Sequence, residues 1–129
     1  MVTKVFKVSR EKVWAAITEK ERMKEWYFDI PDFELEKGKE FNFYGGEFLH
    51  TCTVVEVVPL RTFHHTWTYP LHSKGTSLVR WELQVVGPEE TRLSLRHTGV
   101  ESFSDGGNAF LPENYQRGWN AIVHVALRN

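Results

Sequence analysis

Four strand-like segments in the middle and second half of the chain, each closed by a proline or a glycine, constrain its fold most. They are rich in β-branched and aromatic residues and are separated by short connections. Proline and glycine interrupt a central strand, so each of these closing residues marks a turn. Short turns join antiparallel neighbours, whereas parallel strands need a long crossover. We therefore predict an antiparallel meander with strands at 48–58, 61–69, about 76–86 and about 91–98.

The segment ahead of the meander predicts a strand followed by a helix. Residues 2–8 alternate in the manner of a strand, and Ser9 is a residue type that caps helices. After it, Val13, Trp14 and Ile17 fall on one helical face. The first helix is expected to be short.

A second short helix is predicted directly after the first. Thr18 and Glu21 have the spacing of a capping box, in which two side chains satisfy free amides at a helix start. Met23, Trp26 and Tyr27 then form an apolar stripe. Beyond the break at residues 29–32, extended segments are expected at about 33–36 and 40–44, with a turn at Gly45-Gly46.

The last predicted element is a long helix that begins at Pro112 and runs nearly to the end of the sequence. Proline is favoured at the first helical position, where its missing N–H costs nothing. Further apolar residues widen the stripe past half of the circumference, so this helix is expected either to be buried on two sides or to support a weak homodimer. The stripe consists of Tyr115, Trp119, Ile122 and Ala126, and the residues that widen it are Val123, Val125 and Leu127.

Composition and charge limit the class of protein. The 129 residues are enough for one domain over 1–129 with a substantial core. Lys+Arg number 16 against Asp+Glu 17, which argues against nucleic acid as a partner. No apolar run is long enough to span a membrane. With a single cysteine, Cys52, and no leader-like first segment, we expect a cytoplasmic protein.

Six stretches carry a family resemblance: Ser9 to Thr18, Met23 to Tyr27, Glu56 to Arg61, Phe63 to Trp67, Thr91 to Gly99, and Gly118-Trp119 in the last helix. In this order they resemble the helix-grip superfamily of START-like and birch-pollen-allergen-like domains. Within it, the chain is most similar to the family named for homology to the activator of the heat-shock protein 90 ATPase. The resemblance covers essentially the whole chain, and its order and spacing are more specific than any one motif.

The resemblance implies an α+β helix-grip fold, in which a curved antiparallel sheet wraps around a long C-terminal helix and two short helices follow the first strand. It also implies a hydrophobic cavity between sheet and helix that relatives use for apolar or amphipathic small molecules. It implies no common catalytic set, since members range from ligand carriers and co-chaperone domains to cyclases and hydrolases.

Strand alternation selects the candidate cavity residues. Side chains two apart share a face, so His65 and Trp67 point to the same side, as Trp81 and His97 do with the apolar residues of their own strands. Tyr115 and Trp119 on the last helix would form the opposite wall. Rings that carry a polar tip suit a pocket for an apolar body with one polar group. The alternative is that the histidines are ordinary buried ones and the tryptophans plain core. The predicted cavity set is His65, Trp67, Trp81, His97, Tyr115 and Trp119.

Catalytic and cofactor chemistry finds little support in the residues. The six histidines are scattered, without a metal-binding helix motif, and we expect no metal and no cofactor. Cys52 lies in an apolar strand, where a thiol behaves as a small hydrophobic group.

Three functions remain open at this point. The first is a binding domain for a small hydrophobic molecule such as a lipid, and the second is a domain that interacts with a chaperone. The third is a cavity enzyme that uses His97 or His65 as a general base.

Overall fold

A computed structural model describes residues 2–45, 47–107, 110 and 112–126. Six antiparallel strands form one sheet in the order β1-β6-β5-β4-β3-β2. The first strand therefore pairs with the last, and the meander runs from there to the opposite edge. The strands are β1 (Val2–Phe6), β2 (Glu40–Gly45), β3 (Phe48–Val58), β4 (Thr62–Trp67), β5 (Ser77–Gly87) and β6 (Glu90–Thr98).

The α+β helix-grip prediction is confirmed, including the two short helices after β1. These are α1 (Arg10–Thr18) and α2 (Lys20–Trp26), and α1 packs against β5 and β6. Ser9 caps α1 as predicted, because its side chain accepts a hydrogen bond from the backbone N–H of Lys12. The cap satisfies one of the amides that have no partner within the first turn.

Two local predictions in this region are wrong. Thr18 is the last residue of α1 rather than the cap of α2, and its hydroxyl bonds back to the carbonyl oxygen of Trp14 at 2.6 Å. The segment 33–36 is not a strand; it follows a turn at residues 31–32, which is closed by the backbone N–H of Phe33 bonding to the carbonyl oxygen of Ile30 at 3.1 Å. That local turn buries the Phe33 ring in the core. The backbone N–H groups of Phe33 and Glu36 are used in local hydrogen bonds, and pairing with the sheet begins only at Glu40.

The strand register places the predicted residues on the concave face. Phe63 pairs with Trp81, His65 with Val79, and Val79 in turn with His97. The opposite face carries His64, whose Nδ1 atom lies 3.4 Å from the Glu56 carboxylate. The predicted alternation along β4, β5 and β6 is therefore confirmed.

Between β6 and the last helix, a 3-10 helix spans Val100–Gly106 where the sequence indicated only a loop. Gly99 precedes it with φ 86, a left-handed conformation that glycine adopts without strain. The Phe103 side chain of this 3-10 helix is fully buried. Its burial explains how a helix this short is held in place.

The last helix begins at Pro112, as predicted. It runs as α3 (Pro112–Ala121) and continues as a π-helical turn over Ile122–Ala126. The α-helical part is therefore shorter than predicted. The Val123 side chain is completely buried in the core. The side chains of Val125 and Ala126, and all of Leu127, lie outside the described part of the chain, so self-association through this face stays a prediction.

Candidate functional site

The six predicted cavity residues come together between the sheet and α3. The Trp119 ring on α3 packs against the inner face of the sheet, with its centroid 5.4 Å from that of Trp67 and 5.7 Å from that of Trp81. Tyr115, one helical turn earlier, meets the His97 ring edge-on at 5.2 Å. His65 lies beneath Trp81 in the same cluster. The sequence therefore identified side chains that pack together in one place.

His65 is saturated with hydrogen bonds. Its Nδ1 atom lies 2.9 Å from the carbonyl oxygen of Thr66, and its Nε2 atom accepts from Nε1 of Trp81 at 3.1 Å. A carbonyl only accepts and an indole N–H only donates, so the ring is neutral with its proton on Nδ1. Burial lowers the pKa of His65 to about 4, against the opposing effect of the Thr66 carbonyl.

His97 is saturated in the opposite tautomer. Its Nδ1 atom accepts from Nε1 of Trp119 at 3.0 Å, so its Nε2 atom carries the proton and donates to the Ser77 hydroxyl at 2.6 Å. Ser77 in turn donates to the carbonyl oxygen of Trp67 at 3.2 Å. Burial, followed by the neighbouring His65 and His50, lowers the pKa of His97 to about 3.

Little empty space remains around these residues. The void bordered by His65 and Trp81 measures about 10 Å³, which is the size of one water-sized probe. The void bordered by His97, Tyr115 and Trp119 measures about 60 Å³. Because neither histidine has a ring nitrogen free of protein partners, neither is arranged to take a proton from a ligand. The packing favours the alternative that these histidines and tryptophans form a polar-tipped core, while a cavity role for the set remains a prediction.

A larger, open cleft lies next to this cluster, and one of the six predicted residues, Tyr115, lines it. The cleft has a volume of about 280 Å³. It lies between the end of the β2–β3 hairpin, the segment after β4 and the first turn of α3. The cleft is lined by Phe28, Gly45, Phe48, His50, Tyr69, Phe110, Asn114 and Tyr115.

Two phenol groups meet at the cleft. The Tyr115 hydroxyl donates to the Tyr69 hydroxyl at 2.9 Å, and the latter also accepts from Nε1 of Trp67 at 2.8 Å. Burial raises the pKa of both tyrosines, and for Tyr115 the hydrogen bond that it donates adds to the increase. Both groups are therefore neutral hydrogen-bonding groups at ordinary pH.

His50 forms a flat wall of the cleft. Its ring stacks on Phe43 with centroids 4.7 Å apart and planes 6° apart. Its Nδ1 atom lies 2.9 Å from the carbonyl oxygen of Phe48, which fixes the proton on that nitrogen. Burial lowers the pKa of His50 to about 4. Gly45 lets the ring come this close, since a Cβ atom there would lie 2.7 Å from the His50 Cε1 atom.

The Tyr27 hydroxyl is buried without a hydrogen-bond partner among the described residues. The ring lies between the helices, stacked on Trp26 at 5.0 Å and on Trp119 at 6.2 Å. Burial raises the pKa of Tyr27 well above its usual value. An unpaired buried hydroxyl destabilises the folded state, so Tyr27 differs from Trp81, His65 and His97, whose polar ring atoms all have hydrogen-bond partners.

Thiol and metal chemistry find little support in the described part of the chain. Cys52 is fully buried, and burial raises the pKa of its thiol well above the usual value. No group of three or more His, Cys, Asp or Glu side chains that could hold a metal ion is found in residues 2–45, 47–107, 110 and 112–126. None of the helices within these same ranges has the length and apolar character needed to cross a membrane.

Sequence reasoning missed most of the cleft. Tyr69 could have been predicted from the sequence, because this residue continues the inward alternation of Phe63, His65 and Trp67 by one more step. His50 shares the inward face with Cys52, which gave a similar signal. Phe28 and Phe110 lie outside the strands and the α-helices, where no periodicity predicts a direction for the side chain.

A six-stranded antiparallel sheet with a helix held across its concave face defines a helix-grip domain. A sequence profile narrows this class: the family described as Activator of Hsp90 ATPase homolog 1-like protein matches residues 7–126, and the chain belongs to that family. No functionally curated protein matches the sequence.

Solved structures of similar fold include three that cover 95% of this chain. DynU16, from the dynemicin biosynthetic locus, is 20% identical with a TM-score of 0.78, and the chain spans 43% of its length. PFC0360w, an HSP90 activator from Plasmodium falciparum, is 19% identical with a TM-score of 0.73 and is covered over 89%. MLL2253 from Mesorhizobium loti is 25% identical with a TM-score of 0.67 and is covered over 88%. At these identities the structures show a shared fold.

Proposed function

We propose that this protein binds a small apolar or amphipathic molecule in the open cleft beside α3. The observation that carries the proposal is the cleft itself, about 280 Å³ in volume and lined largely by aromatic rings. It is close to the lower end of the range for ligand pockets, roughly 300–1,000 Å³. A ligand of one or two fused rings suits this volume better than a sterol.

Core side chains behind the cleft contact and hydrogen-bond the residues that line it, which favours a preformed site. Trp67 packs against His50 with centroids 4.7 Å apart and holds the Tyr69 hydroxyl from below. On the helix side, Tyr115 rests edge-on against His97, which is itself fixed by Trp119. The predicted residues thus support the cleft residues. A site that is already ordered loses little entropy when a ligand binds.

A thermal-shift screen with neutral and charged aromatic and aliphatic amphipaths tests the proposal. A ligand at 100 times its dissociation constant should add about 2.7 kcal/mol to the free energy of unfolding. The blocking variant is Asn114→Trp, which fills the cleft from α3 without removing a core side chain. The matched control is Asn120→Trp, at an exposed position of the same helix.

The proposal expects the shift in the native protein and in Asn120→Trp, and its loss in Asn114→Trp. An equal shift in both variants would place the ligand elsewhere. The absence of any shift across the panel would overturn the proposal.

Interaction with a chaperone is the second candidate, and the family match supports it. The side chain of Leu71, in the segment between β4 and β5, is 70% exposed and offers an apolar contact for a protein partner. The test is the ATPase rate of a heat-shock protein 90 homologue with and without this protein. If the homologue does not retain this protein in a pull-down and its ATPase rate does not change, this candidate is dismissed.

A further inference from the structure

Resting on the proposed function, we infer that the cleft selects an uncharged aromatic molecule that carries a hydroxyl or carbonyl group, and that it rejects carboxylates. The inference stands on the juxtaposition of the Tyr69–Tyr115 phenol pair with stacked aromatic walls. It goes beyond the cleft's apolar character, because it names the polar group that a ligand must carry and the charge that it must lack.

The described residues that line the cleft include no lysine, arginine, aspartate or glutamate. His50 is the one titratable base among them, and its neutral form is stabilised by burial. A carboxylate entering the cleft would lose its hydration without gaining a cationic partner. The cleft should therefore discriminate against anionic ligands of otherwise suitable shape.

The phenol pair has hydrogen-bonding capacity left over. A hydroxyl has one donor and two acceptor positions. The Tyr69 oxygen already accepts from Trp67 and from Tyr115, so the hydrogen of its own hydroxyl group is left to donate. The Tyr115 oxygen donates to Tyr69 and keeps its acceptor positions. A ligand hydroxyl can use both groups, and a ligand carbonyl can accept from Tyr69.

The walls favour a flat ring system. On one side Phe28 and His50 line the cleft, and both rings stack on the buried Phe43 ring behind them, at centroid distances of 4.6 Å and 4.7 Å. On the other side Phe110 approaches Phe48 at 5.2 Å and Tyr69 at 4.5 Å. Aromatic rings gain from offset or edge-on contact with other rings beyond the area that they bury.

Three bicyclic probes of matched size test the inference: 2-naphthol, naphthalene and 2-naphthoate. Their dissociation constants are measured at pH 7 by titration followed in amide NMR spectra, which also report the binding site. We expect 2-naphthol to bind about 3- to 10-fold more tightly than naphthalene, as one net hydrogen bond provides. We expect 2-naphthoate to bind at least about 10-fold more weakly than 2-naphthol.

The variant Tyr115→Phe removes one hydroxyl from the pair and should reduce the preference for 2-naphthol over naphthalene by at least about 2-fold, without abolishing it, because the Tyr69 hydroxyl remains. Tyr44→Phe is the matched control, because Tyr44 on β2 is 63% exposed and does not line the cleft. It should leave all three dissociation constants unchanged.

The outcomes separate this inference from the proposed function. Equal affinity for all three probes, with amide shifts at the cleft, would overturn the inference and leave the binding function intact. The same holds if Tyr115→Phe leaves the preference for 2-naphthol unchanged. No binding by any probe, together with a negative thermal-shift screen, would overturn both.

Discussion

The indole of Trp119 on α3 donates a hydrogen bond of 3.0 Å to Nδ1 of His97 on β6. Through the His97 ring the connection continues to Ser77 on β5 and to the carbonyl oxygen of Trp67 on β4. A single chain of hydrogen bonds therefore ties the last helix to three strands. Each partner in such a buried chain depends on the next, since an unpaired buried group costs more than a bond contributes.

Replacing Trp119 with phenylalanine should destabilise the protein by about 2–4 kcal/mol. The change removes the donor to His97 and leaves a cavity in the core. Urea unfolding at pH 7 measures the loss. Trp14→Phe, at a half-buried indole on α1, controls for the smaller ring. If both variants lost the same free energy of unfolding, the Trp119–His97 hydrogen bond would add no stability beyond that of the larger ring.

The stability of the protein should fall as the pH drops below about 6.5. His50 and His65 have pKa values of about 4 and His97 of about 3, all lower than in the unfolded chain. The unfolded state therefore binds more protons between those values and about 6.5. The stabilisation is complete above the unfolded pKa and is lost as the pH falls towards the folded values. Each histidine contributes about 1.4 kcal/mol per pH unit within that window.

Urea unfolding at pH 7, 6 and 5 measures this slope. In the variant His65→Gln one of the three groups no longer titrates, so the slope should become shallower. Asn120→Gln, at an exposed position of α3 with no titratable group, should keep the native slope. A stability that is flat from pH 7 to pH 5 would contradict the buried, neutral state of these rings.

Much of the fold could be predicted from the sequence because two signals agree in it. Alternating apolar residues give each strand its inward face, and prolines such as Pro59 and Pro70 mark the turns. The prediction fails where local hydrogen bonds decide, as at Thr18, whose hydroxyl bonds back into α1. It also fails for the 3-10 helix after Gly99, which is too short to carry a helical pattern.

The candidate site was less predictable for a physical reason. Alternation tells which side chains face inward, but not whether the space between them is filled. His65 and Trp81 face inward as predicted, and yet they satisfy each other and pack with almost no void. The cleft instead forms where Phe28 and Phe110, from two loops, approach the end of the sheet. Such a meeting of distant loops has no signature in one sequence.

Gly118→Ala should stabilise the protein by about 1 kcal/mol. Gly118 lies within α3, and a Cβ atom there would meet nothing within 4 Å. Alanine loses less backbone entropy on forming a helix than glycine does. Thermal unfolding monitored by circular dichroism measures the gain.

Gly75→Ala is the contrasting variant, because its Cβ atom would lie 2.2 Å from the carbonyl oxygen of Ser102. It should destabilise the protein by about 1–3 kcal/mol through overpacking. The same sign for both variants would contradict the packing described for one of them.

Removing the hydroxyl of Tyr27 should leave the free energy of unfolding unchanged or raise it by up to about 2 kcal/mol. This hydroxyl is buried without a partner in the described structure, so the folded protein bears its desolvation and gains no bond from it. The matched change at Tyr69 should have the opposite sign, because the Tyr69 hydroxyl accepts from both Trp67 and Tyr115. Tyr69→Phe leaves those two donors unpaired and should cost about 1–3 kcal/mol. Urea unfolding of Tyr27→Phe and Tyr69→Phe under identical conditions compares them directly, and a clear loss of stability in Tyr27→Phe would mean that its hydroxyl has a hydrogen-bond partner in solution.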